Sequence, residues 1–185
     1  MTVLVGAVGQ LYQGDLDFGR VVVEGIGALG PGVAVAQLDY GAVAVAQDLE
    51  DMRPDALILV GAAQRGRAPG TLELRSFAAE RATAAEAGRA IAEAVTGYVT
   101  LDLVLEVGSA LAVLPAQVVT IELEPVRIGP SDELSPPAAE ALDSARRLIR
   151  AEVRQALRRP RERPGRAAEP PPAARPPSRP PGLRP

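Results

Sequence analysis

Residues 55–61 read DALILVG, and this run decides the fold. An almost wholly apolar segment of this kind predicts a strand buried on both faces. Such strands occur where helices cover a parallel sheet from two sides.

The flanking sequence alternates in the same sense. Upstream, the chain opens with Thr2 to Val8 (TVLVGAV), a short β-rich apolar run. Phe18, Val21, Val22, Ile26 and Leu29 then recur at helical spacing, predicting a helix over 18–29 that GPG at 30–32 stops. Val33 to Leu38 reads as a second strand and Ala42 to Met52 as a second helix, with Asp48, Glu50 and Asp51 on its wetter side. Downstream, the loop AAQRGRAPG leads into Thr71 to Arg75, which alternates like a half-exposed strand. Arg81 to Val95, rich in Ala and Glu, predicts a helix. Leu101 to Val113 is an apolar helix or strand, with helix favoured, and Val118 to Leu123 a late strand. Ser135-Pro136 supplies an N-cap and a proline at the first helical position. The last helix runs from there to about Leu157 on Ala141, Leu142, Ala145, Leu148, Ile149 and Val153. Strands separated by helices give the α/β class: a three-layer α/β/α sandwich around a mainly parallel central sheet of about five strands.

Composition narrows the chemistry. The apolar fraction is 47% and the aromatic fraction 3%, so the core is built from Ala, Val and Leu. There is no Cys and no His, which excludes disulfides, zinc ribbons, thiol nucleophiles and every His-based triad or metal ligand. All 20 basic residues are Arg, which removes Schiff-base and P-loop lysine chemistry. No run is long and apolar enough to span a membrane, and the opening residues lack the basic region of a signal peptide, so the expectation is a cytoplasmic, monomeric protein. Residues 158–185 carry eight Arg and two Glu, a net +6; the whole chain is −3, which leaves −9 on residues 1–157. An acidic body does not favour nucleic acid. The division expected is a domain at 1–157 and a disordered, locally polyproline-II tail at 158–185, where EPPPAARPP and RPPSRPPGLRP exclude regular structure. That tail is either simply solvated or a docking segment for an acidic or SH3-like partner.

Three local features invite a chemical reading. Gly6-x-x-Gly9 after the first strand has the wrong spacing for a dinucleotide loop and reads as a tight turn. Asp15 and Asp17, between Gly14 and Gly19, either share a cation or cap the helix that follows. Asp39 ends the second strand, on the side where parallel sheets form their ligand crevice, although a single Asp there is more often a turn or cap residue.

Taken in order, these stretches resemble the hydrogenase maturation proteases. MTVLVGAVGQLYQGDLDFGRVVVE is similar to the family's opening strand, its G-N turn (here Gly9-Gln10), its acidic pair (Asp15) and the glycine that enters the first helix (Gly19). Leu38-Asp39-Tyr40-Gly41 resembles the D-G-G-T turn. Ala56 to Gly61 followed by Ala68-Pro69-Gly70-Thr71 resembles the later strand and its P-G-T turn. Val118 to Pro125 followed by Glu133-Leu134-Ser135-Pro136 resembles the closing I-x-P…LSP. The resemblance spans nearly all of 1–157. It implies a phosphorylase/hydrolase-like sandwich acting on the nickel-loaded large subunit of [NiFe] hydrogenase, whose C-terminal extension the family removes. The family recognises the substrate's nickel through an acidic residue in the first loop, a strand-end Asp and a His before a later helix. These positions fall on Leu16, on Gly61 and near Gly97 or Tyr98. The expectation is a degenerate member with no catalytic residue, metal or cofactor. Its substrate groove would be carried by Asp15, Asp17, Asp39 and Gly41, and its partner would be a hydrogenase large subunit or maturation factor. The competing readings are an active endopeptidase with a non-standard site drawn from Asp15, Asp17 and Asp39, and an unrelated α/β hydrolase or small-molecule binder.

Overall fold

The computed structural model describes residues 1–78, 82–94 and 99–159. Five strands, β1 (Val3–Ala7), β2 (Val33–Gln37), β3 (Ala56–Ala62), β4 (Leu72–Phe77) and β5 (Gln117–Leu123), form one sheet in the order β2-β1-β3-β5-β4. The β1–β2, β1–β3 and β3–β5 pairs are parallel. β4 runs antiparallel to β5 at one edge, with Glu73 opposite Glu122. The predicted three-layer α/β/α sandwich is therefore present, with one antiparallel edge strand.

The DALILVG reading holds, because Ala56 to Val60 are all at most 2% exposed. Successive side chains serve opposite layers. Val3, Val5, Ala7, Ile58, Val60, Ile121 and Leu123 pack under α1 (Phe18–Glu24) and α5 (Pro136–Arg158). Leu4, Leu57, Leu59 and Val118 pack under α2 (Ala42–Met52), α3 (Ala84–Ala94) and α4 (Leu101–Ala110). Thr100 and Ser135 cap α4 and α5, their hydroxyls accepting from Leu103 N at 3.1 Å and Ala138 N at 3.4 Å.

The first helix is shorter than its periodicity predicts. It ends at Glu24, although Ile26 remains buried. Arg146, on α5, donates from Nε to Val22 O (3.2 Å) and from NH2 to Val21 O (3.1 Å), while Arg150 donates to Ile26 O. The orphan carbonyls of the last turn are thus taken by a distant helix instead of by further helical N–H groups. α5 reaches Arg158, one residue past the expected end of the domain. The expected tail from 160 onward, and positions 97 and 98, lie outside the described residues. Among the described residues, no helix is long and apolar enough to cross a membrane.

Candidate functional site

Strand order reverses between β1 and its neighbours β2 and β3, so the topological switch point lies where β1 and β3 end. A parallel sheet opens its ligand crevice there. The loop that leaves β1 carries Asp15 and Asp17, and the loop that leaves the neighbouring β2 carries Asp39 and Gly41.

Asp15 sits in a 3-10 turn, Asp15–Asp17, and is 0% exposed. Its Oδ2 accepts from Val126 N (2.8 Å), Arg127 N (2.9 Å) and Ser135 Oγ (2.7 Å), and its Oδ1 accepts from Ser135 N (2.7 Å). Burial alone would raise its pKa. The backbone N–H groups of Arg127, Ser135 and Val126, joined by the Ser135 hydroxyl, outweigh that and hold it below the usual carboxylate value. Asp15 is therefore a clasp tying the first loop to the segment between β5 and α5, and it has no face open to a substrate. Asp17 is 5% exposed, and Arg20 Nε donates to its Oδ1 (2.8 Å) and Oδ2 (2.9 Å). Neither aspartate caps a helix through its side chain. Both the capping and the shared-cation expectations give way to internal contacts.

Asp39 and Gly41 remain open at the end of β2. Asp39 is exposed, and Gly41 starts α2 at φ 116° with nothing within 4 Å of where a Cβ would stand. Between them Tyr40 donates to the Asp48 carboxylate; partial burial, then that carboxylate, pushes its pKa up to about 12.

At the β3 end, Gly61 stands opposite Glu122 on β5. A Cβ at Gly61 would lie 2.7 Å from Val8 O and 3.3 Å from Leu101 Cγ, so the switch-point crevice is closed by backbone at this level. Gly19 meets the same carbonyl from the other layer, where a Cβ would lie 2.4 Å from both Val8 O and Val60 O. The backbone turn read at Gly9 is pinned by Gln10 N donating to Leu16 O (3.0 Å). A strand-end carboxylate here would have to displace the Val8 carbonyl, and Leu16 has no donor to offer a metal. No cluster of three or more His, Cys, Asp or Glu suited to a metal occurs among the described residues. The positions that the resemblance assigns to nickel recognition are Leu16, Gly61 and Gly97 or Tyr98 in this chain, and the last two lie outside the described residues.

Next to Gly61 lies a charged network that the sequence reading missed. Glu122, 2% exposed, accepts from Arg65 Nε (3.0 Å) and Thr120 Oγ1 (3.0 Å). Burial would raise its pKa, but the Arg65 guanidinium and the Thr120 hydroxyl hold it low. Arg65 also reaches Asp102, in the first turn of α4, through both terminal nitrogens (2.9 and 2.7 Å). Glu124 gathers the same loop, accepting from Arg65 N (2.8 Å), Gly66 N (3.2 Å) and Arg67 Nε (3.1 Å). Arg65, Arg75, Asp102, Leu105, Thr120 and Glu122 border a cavity of about 190 Å³. The available signal was the acid at 122, inside the otherwise apolar VVTIEL, facing an arginine pair in AAQRGRAPG. The buried carboxylates at this end of the sheet are thus committed to internal partners.

The fold is that of the hydrogenase maturation endopeptidases, and the family resemblance read from the sequence holds in three dimensions. Among solved structures, the chain is similar to the hydrogenase 2 maturation peptidase from Thaumarchaeota archaeon SCGC_AB-539-E09, at 26% identity and a TM-score of 0.59 over 83% of this chain and 98% of that one. It is also similar to the hydrogenase maturating endopeptidase HybD of E. coli, at 18% identity and 0.64 over 84% and 94%. A third is the [NiFe] hydrogenase maturation protease HycI of Thermococcus kodakarensis KOD1, at 19% and 0.52 over 83% and 92%. No protein-family profile matches the sequence, and no curated protein matches it.

Proposed function

We propose that this protein acts in [NiFe] hydrogenase maturation as a non-catalytic relative of the maturation endopeptidases, binding the large-subunit precursor or a maturation factor without cutting it. The observation that carries this reading is the closed switch point. A side chain at Gly61 would force the Val8 carbonyl to move, the first-loop position is Leu16, and the sequence has no His. The scaffold around these positions is intact, and the acids beside them are held internally. Of the four residues expected to contact substrate, Asp39 and Gly41 are the two that remain available to a partner. Asp15 and Asp17 act indirectly by fixing the first loop. The test is the intact mass of a nickel-loaded large-subunit precursor from the same genome, before and after incubation with this protein. An unchanged mass, with an active maturation peptidase cutting the same precursor in parallel, is the expected result. Loss of a C-terminal peptide overturns the proposal.

A further inference from the structure

The antiparallel strand β4 ends the sheet, and its free side is half of a further ladder. Thr71 O accepts from Glu124 N (2.9 Å), which continues the β4–β5 register by one pair. By the alternation of an antiparallel pair, residues 73, 75 and 77 then turn their peptide groups to β5, and Leu72, Leu74 and Ser76 turn theirs away from the sheet. No loop or turn backbone hydrogen bond meets these outward groups among the described residues. Glu73 to Ser76 are all exposed. Such a row is a template for another strand.

The side chains choose which strand. Glu73 and Arg75 share the face of Glu122 and Thr120, and their side chains are 47% and 50% exposed. Glu73 accepts from Arg67, while Arg75 NH1 reaches Glu122 only at 3.4 Å. On the other face Leu74, opposite Ile121, is 41% exposed. Lay β4 antiparallel on a copy of itself, with a two-fold axis at Leu74. Leu72 then meets Ser76 and Leu74 meets Leu74 as hydrogen-bonded pairs, all through outward groups. Glu73 falls opposite Arg75 of the second copy, and Arg75 opposite its Glu73, at the closer positions between those bonds. The neighbouring registers, centred on Glu73 or on Arg75, set like charges directly opposite, which is destabilising. The other edge strand, β2, reads VAVAQ and has no charge to choose a register. The basic segment 160–185 offers few N–H groups to such an edge, its longest proline-free run being 165–169.

We infer that β4 pairs with β4 of a second copy in this register, giving a two-fold dimer with one continuous sheet in place of the monomer expected from the sequence. The contact is self-complementary, as a two-fold interface must be. It is also small, so the dimer is of micromolar strength. It stands independently of the maturation role, and it leaves Asp39 and Gly41 open, since they follow β2 at the opposite edge.

The experiment is sedimentation velocity of the full chain from about 5 to 500 µM, with hydrogen exchange at both ends of the range. The wild type dimerises as concentration rises, and the amides of Leu72, Leu74 and Ser76 slow with it; this readout needs no variant. Glu73→Arg alone and Arg75→Glu alone each set like charges opposite and raise the dimer Kd roughly tenfold or more. An equimolar mixture of those two variants restores the dimer, because each copy then meets the opposite charge. Leu74→Pro removes an outward N–H, leaves the β5 ladder intact and abolishes pairing. A wild type that stays monomeric throughout overturns the proposal. So does a dimer that folded Leu74→Pro leaves intact, or a mixture of folded charge variants that fails to associate. A monomer whose β4 amides slow only when a nickel-loaded precursor is added assigns the edge to a foreign strand and also overturns it.

Discussion

Replacing Asp15 by Asn isolates what the clasp contributes, since the side chain keeps its shape and loses one acceptor oxygen and its charge. Oδ2 accepts three hydrogen bonds and Oδ1 one, from four donors on Val126, Arg127 and Ser135. With the amide oxygen at the Oδ2 position, the amide NH2 confronts Ser135 N–H and one buried donor is orphaned, costing about 1–3 kcal/mol. The other orientation orphans more. The three remaining bonds fall from charge-assisted to neutral, losing roughly half their strength. Relief from burying a charge offsets part of this, leaving an expected loss of about 2–4 kcal/mol. At a urea m-value of about 2 kcal/mol/M, the midpoint moves down by roughly 1–2 M. Far-UV circular dichroism during urea titration measures it, and a loss under about 0.5 kcal/mol refutes the clasp. The pH dependence supplies a second check. The folded pKa of Asp15 is depressed, so its stabilisation is complete above the ordinary aspartate value of 3.8 and disappears as pH falls through the lower folded value. Asp15→Asn removes that part of the acid slope and leaves the slope unchanged at neutral pH.

Restoring a strand-end carboxylate by Gly61→Asp forces a Cβ to within 2.7 Å of Val8 O. It destabilises the domain by about 1–3 kcal/mol in thermal melts, and the variant gains no nickel affinity by calorimetry. Tyr40 ionises at about 12, pushed up by burial and by Asp48. An ultraviolet titration shows that late step, and Asp48→Asn moves it toward the ordinary tyrosine value.

The strands and helices were legible because their patterns are local. The apolar run at 55–61 and the N-cap at Ser135-Pro136 each declare themselves within a few residues. What escaped depends on pairs far apart in sequence. The end of α1 at Glu24 is set by Arg146 and Arg150, and no reading of residues 18–29 contains them. The same separation hid the role of Asp15, whose donors begin at Val126. Ser135 was recognised as a cap, but its second task, donating N–H and hydroxyl to Asp15, belongs to the tertiary structure. Glu122 drew no comment inside VVTIEL because its partner, Arg65, lies 57 residues upstream. The candidate site was legible chiefly in what it lacks: Leu16 and Gly61 could be read directly, whereas the reason Gly61 excludes a side chain required the position of Val8 O.

The C-terminal helix has a consequence for how the chain is made. α5 supplies Ala138, Ala141, Ala145, Ile149 and Val153 to one of the two cores and takes the last carbonyls of α1 through Arg146. On a ribosome the sheet's strands emerge with that face bare, and the first helix emerges with its end unsatisfied. Neither defect is repaired until α5 is synthesised. Folding of this domain therefore waits for α5, and until then the nascent chain displays an apolar sheet surface to chaperones and to its neighbours on the same message.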